Sequence, residues 1–356
     1  MLTTDVIIIG AGPIGIELAA LLKKSGADYL HIEARQIGHT ISQWPRDTQF
    51  FSAPERVALA GVPVHSPNQQ SLTGEMYLSY LRGIVELLDL EIQTFEPVTH
   101  VSQLDDRSFT INTQSVRGKQ TYRCNRLVIA TGNMSTPRTL GIDGEEMAHV
   151  DHALLDPHKY FRKRLLIVGG KNSALEAALR CWRAGASVTL SYRQDKFEES
   201  IVKPHLAREI RLLIAKGMID FYPQTTPIQI EADHARLQHT GDIGIADETT
   251  NVLVDFVLFC IGYEMDMSLF TQLDVQLRGE ERIPEFNEET METNVPNLYV
   301  AGTAAGGMQH RHELFIITCH EHAEKIAHTL TGQRPSITGA LAQRNYAVTF
   351  DDVQED

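Results

Sequence analysis

Between Val6 and Leu22 the chain reads VIIIGAGPIGIELAALL: a β-branched apolar run, a cluster of glycines, then Ile, Leu and Ala at helical spacing. The pattern predicts a buried strand, a tight turn and a helix, which Gly26 ends before a second strand leading to Glu33. The same design returns at residues 164–193 in RLLIVGGKNSALEAALRCWRAGASVTLSYR, where Gly185 ends the helix. Two more apolar runs finish in glycine, RLVIATG (126–132) and FVLFCIG (256–262), each where such a unit would return its last strand to the sheet. A strand running into small residues, TNVPNLYVAGTAAGG (293–307), precedes a helical pattern over 314–330. Alternation of this kind implies right-handed crossovers, parallel sheets and ligand sites at the carboxyl ends of strands.

The expected fold class is α/β, with two Rossmann-like dinucleotide-binding domains. In the first copy Gly10, Gly12 and Gly15 have G-x-G-x-x-G spacing, with Pro13 and Ile14 inside the turn and Glu33 about 20 residues on. The glycines allow a tight turn and close approach of backbone to a pyrophosphate, and Glu33 can accept from a ribose diol. The second copy, Gly169, Gly170, Lys171, Asn172, Ser173 and Ala174, puts Lys171 where a glycine normally lets a phosphate approach. That turn either holds its pyrophosphate further off or lends it an ammonium group. Its second strand ends without a carboxylate but with Arg193, which favours NADP(H) over NAD(H) unless Arg193 is only a solvated charge. FAD is then expected on the first turn and NADP(H) on the second. Thr131, Gly132, Gly262, Gly302 and Thr303 join the cofactor-binding set as the small residues ending the later strands. The expected FAD domain is discontinuous, 1–140 plus 270–350, around an NADP(H) domain at 141–269, with an acidic tail at 351–356.

With 356 residues the chain suffices for two domains. Its net charge of −14, spread rather than clustered, argues against nucleic acid or a membrane surface as partner. Cys124, Cys181, Cys260 and Cys319 form no CxxC pair, so a disulfide framework and a zinc ribbon are unsupported and a reducing cytoplasm is expected. The apolar start is broken by glycine and proline, which argues against a signal peptide, and the mature chain is expected to begin near Met1.

These residues together resemble the two-domain flavoprotein reductases of the thioredoxin-reductase type, and within them the YpdA-type bacillithiol disulfide reductases. The matching pieces are GAGPIG, FFS (50–52), IATG, GGKNSA, IVKP (201–204), IGY (261–263) and ETNVPNLYVAGTAAG. The resemblance implies bound FAD, NADPH as hydride donor, a homodimer, and Phe50, Phe51 and Ser52 near the isoalloxazine; a plain loop anchored by aromatic burial is the other reading of that stretch. Departures bear on the reaction. The redox CxxC of thioredoxin reductases is missing between Gly169 and Gly262, and where the bacillithiol family has G-P-C-G, with the cysteine as attacking thiol, this chain has Ile14. A thiol relay through that position is therefore impossible.

Catalytic side chains are less legible. His310 and His312 open the polar stretch HRHELFIITCHEH, where they line the substrate side of a flavin as proton donor or anion anchor, or else form a solvated helix start or dimer contact. His312 and His320 lie eight apart with no completing cysteine or carboxylate, so no metal is expected. Cys319 reads as a buried structural thiol. The leading expectation is an NADPH-dependent FAD oxidoreductase acting on a low-molecular-weight disulfide or a small electron acceptor. Ferredoxin-NADP reductase-like electron transfer, a flavin monooxygenase and a non-enzymatic redox sensor are the alternatives.

Overall fold

A computed structural model describes residues 2–240, 248–309 and 313–333. They fall into two compact units, one containing the described parts of 2–43, 47–136 and 264–333, the other 44–46 and 137–263.

The first unit opens with β1 (Leu2–Ile9), whose second half, Val6 to Ile9, is buried on both faces and so reads as a continuous apolar run. Helix α1 (Pro13–Lys24) follows, with Pro13 in its first turn, where the missing N–H costs nothing, and Lys23 and Lys24 against the negative end of its dipole. Gly26, at φ 71°, closes it. Strand β2 (Tyr29–Ile32) pairs parallel with β1, α2 (Gly74–Leu87) lies further along, and β3 (Gly118–Ile129) pairs parallel with β1 on its other side.

In the second unit β4 (Val150–Asp151), β5 (Arg164–Val168), α3 (Asn172–Arg183), β6 (Ser187–Tyr192) and β7 (Phe256–Phe259) form a five-stranded sheet and its first helix. The strand order is Asp220–Pro223, β6, β5, β7, β4, all parallel. Leu165, Ile167 and Leu258 pack beneath α3, while Leu166, Val168, Val257 and Phe259 pack on the opposite side of the sheet against Ala235, Leu237 and Val252. The chain then returns to the first unit, where β8 (Leu298–Val300) pairs parallel with β3 and α4 (Ile316–Thr331) follows. No described helix is long and apolar enough to cross a membrane.

Candidate dinucleotide sites

The first glycine turn divides its glycines by task. Gly10 has φ +107°, and a Cβ there would overlap the Ala130 carbonyl; a Cβ on Gly15 would overlap the carbonyl of Gly10 itself. Those two are required by the turn. Gly12 has the extended φ −74°, which any residue adopts, and nothing lies within 4 Å of an added Cβ. Its missing side chain leaves space outside the fold, on the side where α1 presents first-turn N–H groups that no side chain caps. Glu33 follows β2 and faces the same turn: one carboxylate oxygen accepts from Ala11 N–H at 2.7 Å and the other from Arg35 N–H at 2.8 Å. Each oxygen keeps a lone pair for a ribose hydroxyl. These features fit a dinucleotide diphosphate.

Ile14 is 6% exposed and packs toward the turn after β8. A Cβ built on Gly302, at φ +70°, would lie 3.4 Å from the Ile14 Cβ. One built on Gly132 would lie 3.6 Å from Thr303 Oγ1. Gly10, Ile14, Gly132, Gly302 and Thr303 are thus brought together, Pro13 and Thr131 adjoin them in the chain, and Ile14 supplies an apolar contact between two turns.

Two histidines that sequence reasoning missed brace this arrangement from behind. His31 Nε2 lies 2.9 Å from the Gly10 carbonyl, and the His322 ring lies against the Gly302 backbone. Burial holds both rings down to about 4, so they are neutral at pH 7. His320, one turn from Ile316 on α4, behaves oppositely. Its Nδ1 is 2.8 Å from buried Glu17 and its Nε2 is 2.9 Å from the Arg56 carbonyl. Both partners are acceptors, so only the doubly protonated ring fills both; burial lowers its pKa, but Glu17 outweighs that and the net shift is upward. Glu17 also accepts from Ala60 N–H at 3.1 Å, while Tyr77 donates to the Val57 carbonyl at 2.8 Å and Leu59 N–H donates to Tyr80 at 2.6 Å. These bonds pin residues 56–60, just after Phe50, which is buried against Tyr77, Phe51, which is half-exposed, and Ser52.

The second turn keeps the frame and changes the surface. Gly169 has φ +138°, and a Cβ there would overlap the Cys260 carbonyl. Lys171 takes the place of Gly12 as N-cap, with φ −101° and ψ −176°, so the lysine is accommodated without strain. Ala174 occupies the place of Gly15 and is buried. Gly10 N–H donates to Ile32 and Gly169 N–H to Ser191, which aligns Tyr192 with Glu33. Where Glu33 bonds Ala11, the Tyr192 ring covers Gly170 so closely that no Cβ would fit. Arg193 is exposed immediately beyond. Asn172 donates to the Ile201 carbonyl at 2.9 Å and accepts from Lys203 N–H at 2.8 Å, which locks GGKNSA to IVKP and turns its side chain inward. Ser173 is exposed, and Gly262 (φ +96°) ends the run after β7.

His310, Arg311 and His312 lie outside the described residues. Among the described residues no three His, Cys, Asp or Glu side chains gather as metal ligands. All four cysteines are free, and burial pushes each thiol up to about 12. None is a thiolate at neutral pH.

A family model described as pyridine nucleotide-disulphide oxidoreductase matches residues 7–302. The chain is 33% identical over 327 residues, 92% of its own length and 97% of the relative's, to bacilliredoxin reductase Bdr of Bacillus subtilis. It superposes on bacillithiol disulfide reductase Bdr (YpdA) of Bacillus cereus with a TM-score of 0.86 and 31% identity, covering 93% of this chain and 99% of that one. Thioredoxin reductase of T. acidophilum shares the fold at a TM-score of 0.68 and 19% identity, covering 93% and 99%.

Proposed function

Since this chain belongs to the pyridine nucleotide-disulphide oxidoreductase family, we propose that it is an NADPH-dependent FAD oxidoreductase that reduces a low-molecular-weight disulfide without using a thiol of its own. FAD takes the first turn, on Gly10, Gly12, Pro13, Ile14, Gly15 and Glu33, with the 131–132 and 302–303 segments beside it. NADP(H) takes the second, where Tyr192 replaces the ribose-binding carboxylate and Arg193 stands ready for a 2′-phosphate. The observation that carries the reading is this pair of turns, alike in frame and opposite where Glu33 of the first faces Tyr192 of the second.

Bound on the first turn by Gly10, Gly12, Gly15 and Glu33, a flavin would supply the hydride and electron-pair chemistry. Overall, NADPH, one disulfide and one proton give NADP⁺ and two thiols as the S–S bond breaks. This chain's residues bind and orient. With Ile14 at the turn and four thiols held protonated by burial, this chain offers the disulfide no cysteine relay. The reading extends to a homodimer acting in the cytoplasm, where four unpaired cysteines are stable.

The test is anaerobic. The flavoprotein is reduced with one equivalent of NADPH, and reoxidation is timed with bacillithiol disulfide, other small disulfides and oxidised ferredoxin. Disulfide-driven reoxidation at about 1 s⁻¹ or faster is the expected result. Reoxidation by ferredoxin alone overturns the disulfide assignment.

A further inference from the structure

Glu96, in the first unit, is only 9% exposed, and a carboxylate withdrawn this far from water needs hydrogen-bond donors. Thr113 and Tyr122 each donate to its Oε1 at 2.6 Å. Both donors are buried, and they stand on neighbouring antiparallel strands, Phe109–Ser115 and β3. Burial and the carboxylate beside it push the Tyr122 hydroxyl up, so it keeps the proton it donates. A buried acid is a costly way to join strands that the sheet already pairs, so the question is what else it holds.

Its backbone gives the answer. Glu96 N–H donates to the Glu33 carbonyl at 2.9 Å, Phe95 N–H to the Arg35 carbonyl at 2.9 Å, and the Gln93 carbonyl accepts from Glu33 N–H at 2.8 Å. Residues 93–96 therefore clamp the loop 33–35, including Arg35, whose own N–H orients one Glu33 oxygen. Phe95 lies inside the clamp at φ +56°, a left-handed conformation that an aromatic residue adopts only under constraint. The strand Ile92–Gln93, paired with β2, fixes the chain before Phe95, and the anchored Glu96 fixes it after. The second unit repeats the clamp: Gln224, at φ +51°, donates to the Gln194 carbonyl at 3.1 Å, and buried Thr225 follows it. There the anchor is a hydroxyl that donates to the nearby Tyr222 carbonyl. A carboxylate tied to two further strands appears only where the clamped loop carries Glu33.

We propose that Glu96 is a positioning residue for FAD that acts through Glu33, its buried carboxylate locking the loop that sets Glu33 against the ribose of the adenosine half. The inference rests on the reading that Glu33 binds this ribose.

The experiment measures the rate at which FAD leaves the diluted holoenzyme, followed by flavin fluorescence, in Glu33→Ala, Glu96→Ala and the double variant, each loaded with excess FAD beforehand. Glu96→Ala should release FAD about tenfold faster, and Glu96→Gln, which keeps an acceptor oxygen for Thr113 and Tyr122, should recover most of the difference. On the Glu33→Ala background, Glu96→Ala should add less than about twofold, because the residue it acts through is already gone. Effects that multiply in the double variant, or an unchanged rate in Glu96→Ala, overturn the inference while leaving the ribose reading intact. If Glu33→Ala releases FAD at the unaltered rate, the ribose reading falls and the inference with it. Should Glu96→Ala not fold, Tyr122→Phe replaces it in the same cycle, with an expected effect of about threefold and the same outcomes deciding.

Discussion

The two glycine turns begin alike and part company at the surface. Both follow a buried parallel strand, both open with a glycine at positive φ whose Cβ would strike a neighbouring carbonyl, and both donate that glycine's N–H to the adjoining strand. They differ at the place of Gly15, where the second turn accommodates Ala174, and at two places on the surface. Gly12 and Lys171 share an extended backbone, so the turn itself does not require glycine at this position. Glu33 and Tyr192 occupy one alignment position, one bonding the turn and the other covering it. A repeated unit thus separates what the architecture demands from what each ligand selects.

The largest expected effect tests that division inside the first turn. Gly15→Ala forces a Cβ onto the Gly10 carbonyl and should lose FAD with a stability cost of about 1–3 kcal/mol. Gly12→Lys, which transplants the second turn's residue, should lose FAD while the thermal midpoint stays within a few degrees, since space is open there. Flavin absorbance per protein and thermal melting read both. Full flavin retention by Gly12→Lys would break the comparison.

At the second turn, Arg193→Ala should raise the KM for NADPH by about tenfold while leaving that for NADH unchanged, because only the former carries the 2′-phosphate. Parallel changes for both coenzymes would make Arg193 a bystander.

The smallest effect is in the pH dependence. His31 lies under the first turn, and its counterpart in the second copy is Leu190. His31 and His322 have folded pKa values of about 4 against an ordinary 6.5, so their contribution is whole above 6.5 and is lost as pH falls toward 4. His320 is raised, so its contribution is whole below 6.5 and is lost as pH climbs through its folded value. Stability of the first unit should therefore decline to both sides of a maximum near the ordinary histidine range. His31→Leu should flatten the acid side by a few degrees in thermal midpoint. An unchanged acid slope would remove the neutral imidazole from the account.

Much of this was readable in advance. The glycine clusters, the caps at Gly26 and Gly185, the apolar returns at 126–132 and 256–262 and the missing CxxC lie in local order, and local order is what periodicity reports. The family followed from motifs in the same sense. His31, His322 and Glu17 were not readable, because a histidine in a strand or an acid in a helix has the same local pattern whether solvated or buried.

By itself, the order of residues determined two strand, turn and helix units, the glycines their turns require and the absence of a cysteine at position 14, since each depends on neighbours within a few residues. Tertiary structure alone decided that Ile14 packs toward Gly302, that Tyr192 stands where Glu33 stands, and which buried nitrogens find partners. Those outcomes depend on which strands become neighbours, and pairing between distant segments is chosen by burial of the whole sheet, not by any stretch of it.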